Sequence, residues 1–177
     1  MRTLFFVLAL SFSLFGCKKL NKLTQFEMEY TETVVIPAST GINLPFNVLT
    51  PDIQSNSEAD FEIHDTRKDL IEEIKLTAMQ LKITSPTSGN FNFLKNIKIF
   101  IFAAGLGETQ IAFKDSVPAN INSLPLDITG ADIQEYIKAD KFSLRLNTET
   151  KELLASDYQI EVHSVFFVDA KLLKNKK

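Results

Sequence analysis

The chain of 177 residues has no tryptophan, a single cysteine and two histidines. One cysteine cannot form an intramolecular disulfide, so the fold must rest on its apolar core. Three tyrosines stand against 15 phenylalanines, which makes the aromatic complement mainly core filler, because phenylalanine lacks the polar handle used at wet binding surfaces. Sugar stacking would have to fall to Tyr30, Tyr136 or Tyr158, and the local alternation puts Tyr30 and Tyr158 on apolar faces. A basic excess is also missing: 19 Lys and Arg oppose 22 Asp and Glu, for a net charge of −3. No basic field exists to draw in a polyanion, which disfavours nucleic acid as a partner.

Catalytic signatures are likewise scarce. The sequence holds no HExxH, GxSxG or P-loop motif, and Gly105-Leu106-Gly107 lacks the third glycine of a dinucleotide site, so it reads as a turn. His64 and His163 lie far apart, each in a polar neighbourhood, and read as surface residues and not as a metal pair. Asp52, Asn56, Glu58 and Asp60 offer hard oxygen ligands and are weak calcium candidates, but their spacing is not that of an EF-hand and polar loops are commonly only solvated. Glu72 and Glu73 are adjacent, and neighbours do not face one another in a strand or a helix, so they make a poor acid/base pair. No catalytic residue, metal or diffusible cofactor is assigned, and an enzyme is the less favoured expectation.

What is present begins at the N-terminus. Arg2 precedes an apolar run over residues 4–15 (LFFVLALSFSLF), then small Gly16, then Cys17. As a helix this run reaches about 20 Å, well short of a hydrocarbon core of about 30 Å, so it reads as a cleaved export signal and not as a membrane span. The segment Leu14-Phe15-Gly16-Cys17 resembles the lipobox of bacterial lipoproteins, with Phe15 where that family usually has a small residue. The resemblance implies cleavage before Cys17, a thioether-linked diacylglycerol on its sulfur and an N-acyl chain such as palmitate on its amino group. Two or three acyl chains give a stable anchor where one is marginal. It also implies a place in the cell envelope, at the outer membrane, with the bilayer as a partner.

The mature chain is dominated by period-2 alternation. Residues 26–36 place Phe26, Met28, Tyr30, Glu32, Val34 and Ile36 on one face. After a turn at 37–41, Ile42, Leu44, Phe46 and Val48 alternate with polar residues, and Pro45 marks an edge strand. Residues 50–60 read as a polar loop, and 65–74 as mixed with a helical turn; 75–85 resume alternation, and 85–90 are a turn. Residues 97–104 (IKIFIFAA), apolar on both faces, belong at the centre of a sheet, and 109–114, 141–148 and 158–170 complete the set. Thr129 is the expected N-cap of one short helix over 130–138, with Ile133, Tyr136 and Ile137 as its apolar stripe.

These signals predict an all-β fold, a two-layer antiparallel β-sandwich of seven to eight strands, immunoglobulin-like in architecture, with one short helix near 130–138. The expected organisation is a signal peptide over 1–16, a lipidated cysteine and tether over 17–25, the sandwich over 26–171 and a basic tail over 172–177. Such a chain is expected to act as a non-catalytic binding or structural module, docking another envelope protein. The alternatives are a glycan-binding accessory module of a nutrient-uptake system and, further down, a small hydrolase or a fimbrial subunit.

Overall fold

The structure, a computed structural model, describes residues 25–38 and 45–171. Cys17, the tether, Ile42, Leu44 and the basic tail lie outside the described residues. The described residues form ten strands: β1 (Gln25–Ile36), β2 (Pro45–Leu49), β3 (Ile53–Gln54), β4 (Ile71–Ser85), β5 (Leu94–Phe102), β6 (Thr109–Lys114), β7 (Ser123–Pro125), β8 (Asp127–Ile128), β9 (Lys141–Thr150) and β10 (Tyr158–Ala170). Two short α-helices accompany them among the described residues, α1 (Ser57–Ile63) and α2 (Gln134–Lys138).

The strands form two antiparallel sheets, one in the order β1-β10-β4-β7 and the other β2-β9-β5-β6-β8, with β3 pairing the end of β9. All-β architecture, two layers and seven strands of five or more residues are thus what the alternation predicts. The connectivity is more specific. β1 pairs β10, β2 pairs β9, β4 pairs β7 and β5 pairs β6, so the pairs nest one within the next like a single long hairpin rolled into two layers. That is a jelly-roll path, whereas immunoglobulin domains distribute consecutive strands differently between the two sheets.

The period-2 faces are where the pattern puts them. Along β10, Ile160, Val162, Ser164, Phe166, Val168 and Ala170 are buried between the layers. Along β5, Ile97, Ile99 and Ile101 face inward, while Phe100 and Phe102 lie half-buried on the outer face, where the Arg145 guanidinium stacks 4.3 Å from the Phe100 ring. Phe100 therefore packs under a long side chain. β5 is central, between β9 and β6, and β2 is an edge strand as Pro45 requires.

Two local expectations need correction. Residues 50–60 are not a solvated loop: they hold β3 and the start of α1, and Thr50, Ser55 and Ser57 are only 5, 2 and 1 % exposed. Each of these hydroxyls is hydrogen-bonded, which is the condition for burying it. Thr129 is not the cap of the second helix. Its hydroxyl donates to the carbonyl oxygens of Gln110 and Ile111, and α2 instead starts after Ile133, where the Asp132 carboxylate accepts from the Gln134 N–H at 3.1 Å.

Candidate functional site

An open polar cleft of about 310 Å³ is lined by Gln54, Ser55, Asn56, Ser57, Glu58, Ala59, Lys68 and Asp140. Its floor is built by the segment joining β3 to α1. The Ser55 N–H donates to the Asp140 carbonyl at 3.1 Å, and the Ser55 hydroxyl donates to the Ala139 carbonyl at 2.6 Å. Asn56 then takes a left-handed φ of 44°, a conformation asparagine tolerates better than most residues, and turns the chain into α1. Ser57 Oγ lies 3.2 Å from Ser55 Oγ, so the two hydroxyls face each other and the protein interior.

Beneath the cleft, Tyr30 locks β1 to this segment: its hydroxyl donates to the Ser55 carbonyl at 2.5 Å, and its ring meets Phe142 and Phe166 edge-on. Burial, and secondarily the Asp60 carboxylate, hold that hydroxyl above the ordinary tyrosine range. At the rim Lys68 reaches Glu58 at 3.2 Å and Asp140 at 3.5 Å. The cleft therefore offers hydrogen-bonding edges and one cation already between two carboxylates. Ser55 donates its proton to a backbone carbonyl, and no histidine, lysine or carboxylate is hydrogen-bonded to its hydroxyl among the described residues.

The calcium candidates do not converge. Asp52 is paired with Lys141 and accepts from the Ser143 hydroxyl at 2.9 Å, and the Lys141 hydrogen bond holds its carboxyl below the ordinary value. Asn56 and Glu58 line the cleft, and the Asp60 charge is felt at the Tyr30 hydroxyl. No group of three or more His, Cys, Asp or Glu side chains is arranged to hold a metal among the described residues. The two histidines are separate: His64, exposed, stacks on Phe26 with ring centroids 3.9 Å apart, and His163 lies 3.1 Å from the Thr31 hydroxyl on the outer face. Glu72 pairs with Lys171 and Glu73 with Lys75, so the adjacent acids do separate work.

The three tyrosines are all engaged internally. Tyr158 packs edge-on against Phe93, and the Tyr136 hydroxyl donates to the Gly107 carbonyl while lying 2.8 Å from the Thr109 hydroxyl. All three are half-buried. A second polar cluster, which the sequence did not single out, occupies the outer face of the six-stranded sheet. Arg145 grips Glu108 with two hydrogen bonds of 2.7 and 2.6 Å and donates to Asn47 at 2.6 Å, and the Arg145 hydrogen bonds hold the Glu108 carboxyl below its ordinary value. The strand register that sets Arg145 beside Phe100 and Leu49 creates this cluster, and no local motif announces it.

No helix among the described residues is long and apolar enough to cross a membrane. No family model matches the chain, and no curated protein matches it. Among solved structures, it is similar to the acidic stable capsid structure of Helicobacter pylori bacteriophage KHP30, at 6% identity, TM-score 0.39, covering 84% of this chain and 99% of that one. It is also similar to the empty capsid of Triatoma virus, at 7% identity and TM-score 0.36, covering 88% and 95%, and to Tomato Aspermy Virus, at 13% identity and TM-score 0.31, covering 100% and 98%. No functional statement follows from likenesses of this size.

Proposed function

We propose that the chain is a lipid-anchored protein of the bacterial cell envelope, held at the outer membrane through Cys17, whose β-sandwich serves as a non-catalytic binding or structural module for another envelope protein. The observation that carries this reading is the position of the sole cysteine, directly after the apolar run of residues 4–15 and eight residues before β1 begins at Gln25. A stretch of that length suits a tether between lipid and domain. The cleft, with its hydroxyls turned inward and its lysine between carboxylates, favours recognition of polar surface over bond-breaking chemistry.

Metabolic labelling with an alkyne fatty acid tests the anchor. The wild type is expected to take up label and to partition with membranes, and Cys17→Ser to do neither. Equal labelling of the two proteins would refute the assignment.

A further inference from the structure

β1 stands at one end of the four-stranded sheet, with β10 as its ladder partner on one side. Its 12 residues keep a single register against β10 from Gln25 to Ile36, with no bulge and no proline. Alternate N–H and C=O groups of such a strand point away from its neighbour. Beyond the β10 ladder, no hydrogen bond engages the backbone of β1 among the described residues.

The core face of this edge makes a chemical demand. Met28, Val34 and Ile36 are buried there, whereas Phe26, Tyr30 and Glu32 are half-buried. Phe26 stacks on the His64 ring and the Tyr30 hydroxyl is bonded to the Ser55 carbonyl, but Glu32 has neither hydrogen bond nor ion pair among the described residues. An apolar strand laid along β1 would bury that carboxylate bare, a cost that a facing Lys or Arg removes. The outward face is acidic as well. Among the described residues Glu27 has no ion-pair partner and Glu29 has only His163, at 3.8 Å, and β1 itself holds no Lys or Arg. A second copy pairing through the same strand therefore brings no cation to Glu32.

We propose that β1 is a docking edge for an extended segment of a partner protein, which joins the sheet antiparallel to β1 and sets a Lys or Arg against Glu32. The inference deepens the reading of the sandwich as a module that binds another protein, and it does not depend on the anchor at Cys17. Every strand pair among the described residues is antiparallel, and that pairing is the more stable per residue. In this orientation the residues of the segment that face Glu32, Glu29 and Glu27 are its first, fourth and sixth, and those that face Tyr30 and Met28 are its third and fifth. The recognised pattern is thus basic at the first, fourth and sixth places and apolar at the third and fifth. A slip of one residue would turn the outer bases onto Tyr30 and Met28, so charge fixes the register.

The test is fluorescence anisotropy of a dye-labelled peptide of about ten residues carrying this pattern, titrated with the full-length chain in mild detergent. A dissociation constant below about 100 µM is expected, with binding about tenfold weaker when the third and fourth residues and the fifth and sixth are exchanged. N-methylation of alternate peptide amides should abolish binding in one phase and leave it intact in the other, because only one set faces β1. Glu32→Gln should weaken binding about tenfold, and Glu32→Lys should recover it with a peptide that has Glu in the first place. Equal binding of the exchanged peptide, equal tolerance of the two N-methylated forms, or indifference to Glu32→Gln overturns the proposal. An edge already taken by a second copy or by another segment of the chain shows as no saturable binding, which overturns it too. The module reading fails separately: a photocrosslinker that captures a protein in cells from Lys98, exposed on the other sheet, and not from Thr33 keeps that reading and overturns the edge.

Discussion

Glu32 occupies an inward position on β1 between Tyr30 and Val34, half-buried on the face that carries the core, and no hydrogen bond or ion pair holds it among the described residues. Burial pushes its carboxyl above the ordinary value of 4.5. The folded chain thus keeps this proton to higher pH than the unfolded chain does. The cost of ionising it is absent below that ordinary value and sets in as pH rises through it toward the folded value. Glu32→Gln is therefore expected to raise Tm near pH 7 and to change it little near about pH 4, as differential scanning calorimetry would show; the same gain at both pH values would rule the carboxyl out as the cause. Asp52 and Glu108 run the other way. Hydrogen bonds from Lys141 and Arg145 depress them, so what they contribute is present above their ordinary values of 3.8 and 4.5 and is lost in acid.

The same residue has a second consequence at the scale of its strand. β1 is a 12-residue edge strand with neither proline nor a register shift, and such an edge is a template for pairing with another chain. A charge on the inward face is one way to spoil that template, because a second sandwich continuing the sheet would have to bury it. Glu32→Val should keep or raise Tm yet self-associate as concentration rises in sedimentation velocity, while Thr33→Val, on the outward face, should stay monomeric. Monomeric behaviour of both variants would leave β1 guarded by some other feature. β1 and β10 were legible in the sequence because each has one dry face, and alternation reports a dry face directly. α1 was not, because SEADFEI buries a single large apolar residue, Phe61, and the turn before it is held by buried Ser55, bonded to residues 139 and 140, far away in the chain. The cleft was missed for the same reason. Asn56 and Glu58 were noticed as possible ligands, but Lys68 and Asp140 reach the same place only through the fold.

Across the whole molecule the decisive contacts join the layers. Phe142 comes from the six-stranded sheet and Tyr30 and Phe166 from the four-stranded one, and the three rings meet pairwise edge-on with centroids 5.4, 5.7 and 6.2 Å apart. Tyr30 also ties the cleft segment to this cluster through the Ser55 carbonyl, so floor, edge strand and core share one anchor point. Alternation says which residues point inward, but it is silent on which strand pairs with which, and nothing local in the sequence announces that Gln25 lies beside Asp169. Because the nested pairs close only when the ends of the chain meet, neither sheet holds a complete hairpin stack of its own, and the two should unfold together. Phe166→Ala is expected to cost about 3–5 kcal/mol, with far-UV circular dichroism and tyrosine fluorescence giving one coincident transition. In a double-mutant cycle Phe142→Leu and Phe166→Leu should couple by about 0.5–1.5 kcal/mol, since each ring is the other's edge-on partner. Strict additivity would mean that the two sheets are held by bulk apolar burial and that the aromatic cluster is incidental, and two separate transitions would mean that the layers fold independently of it.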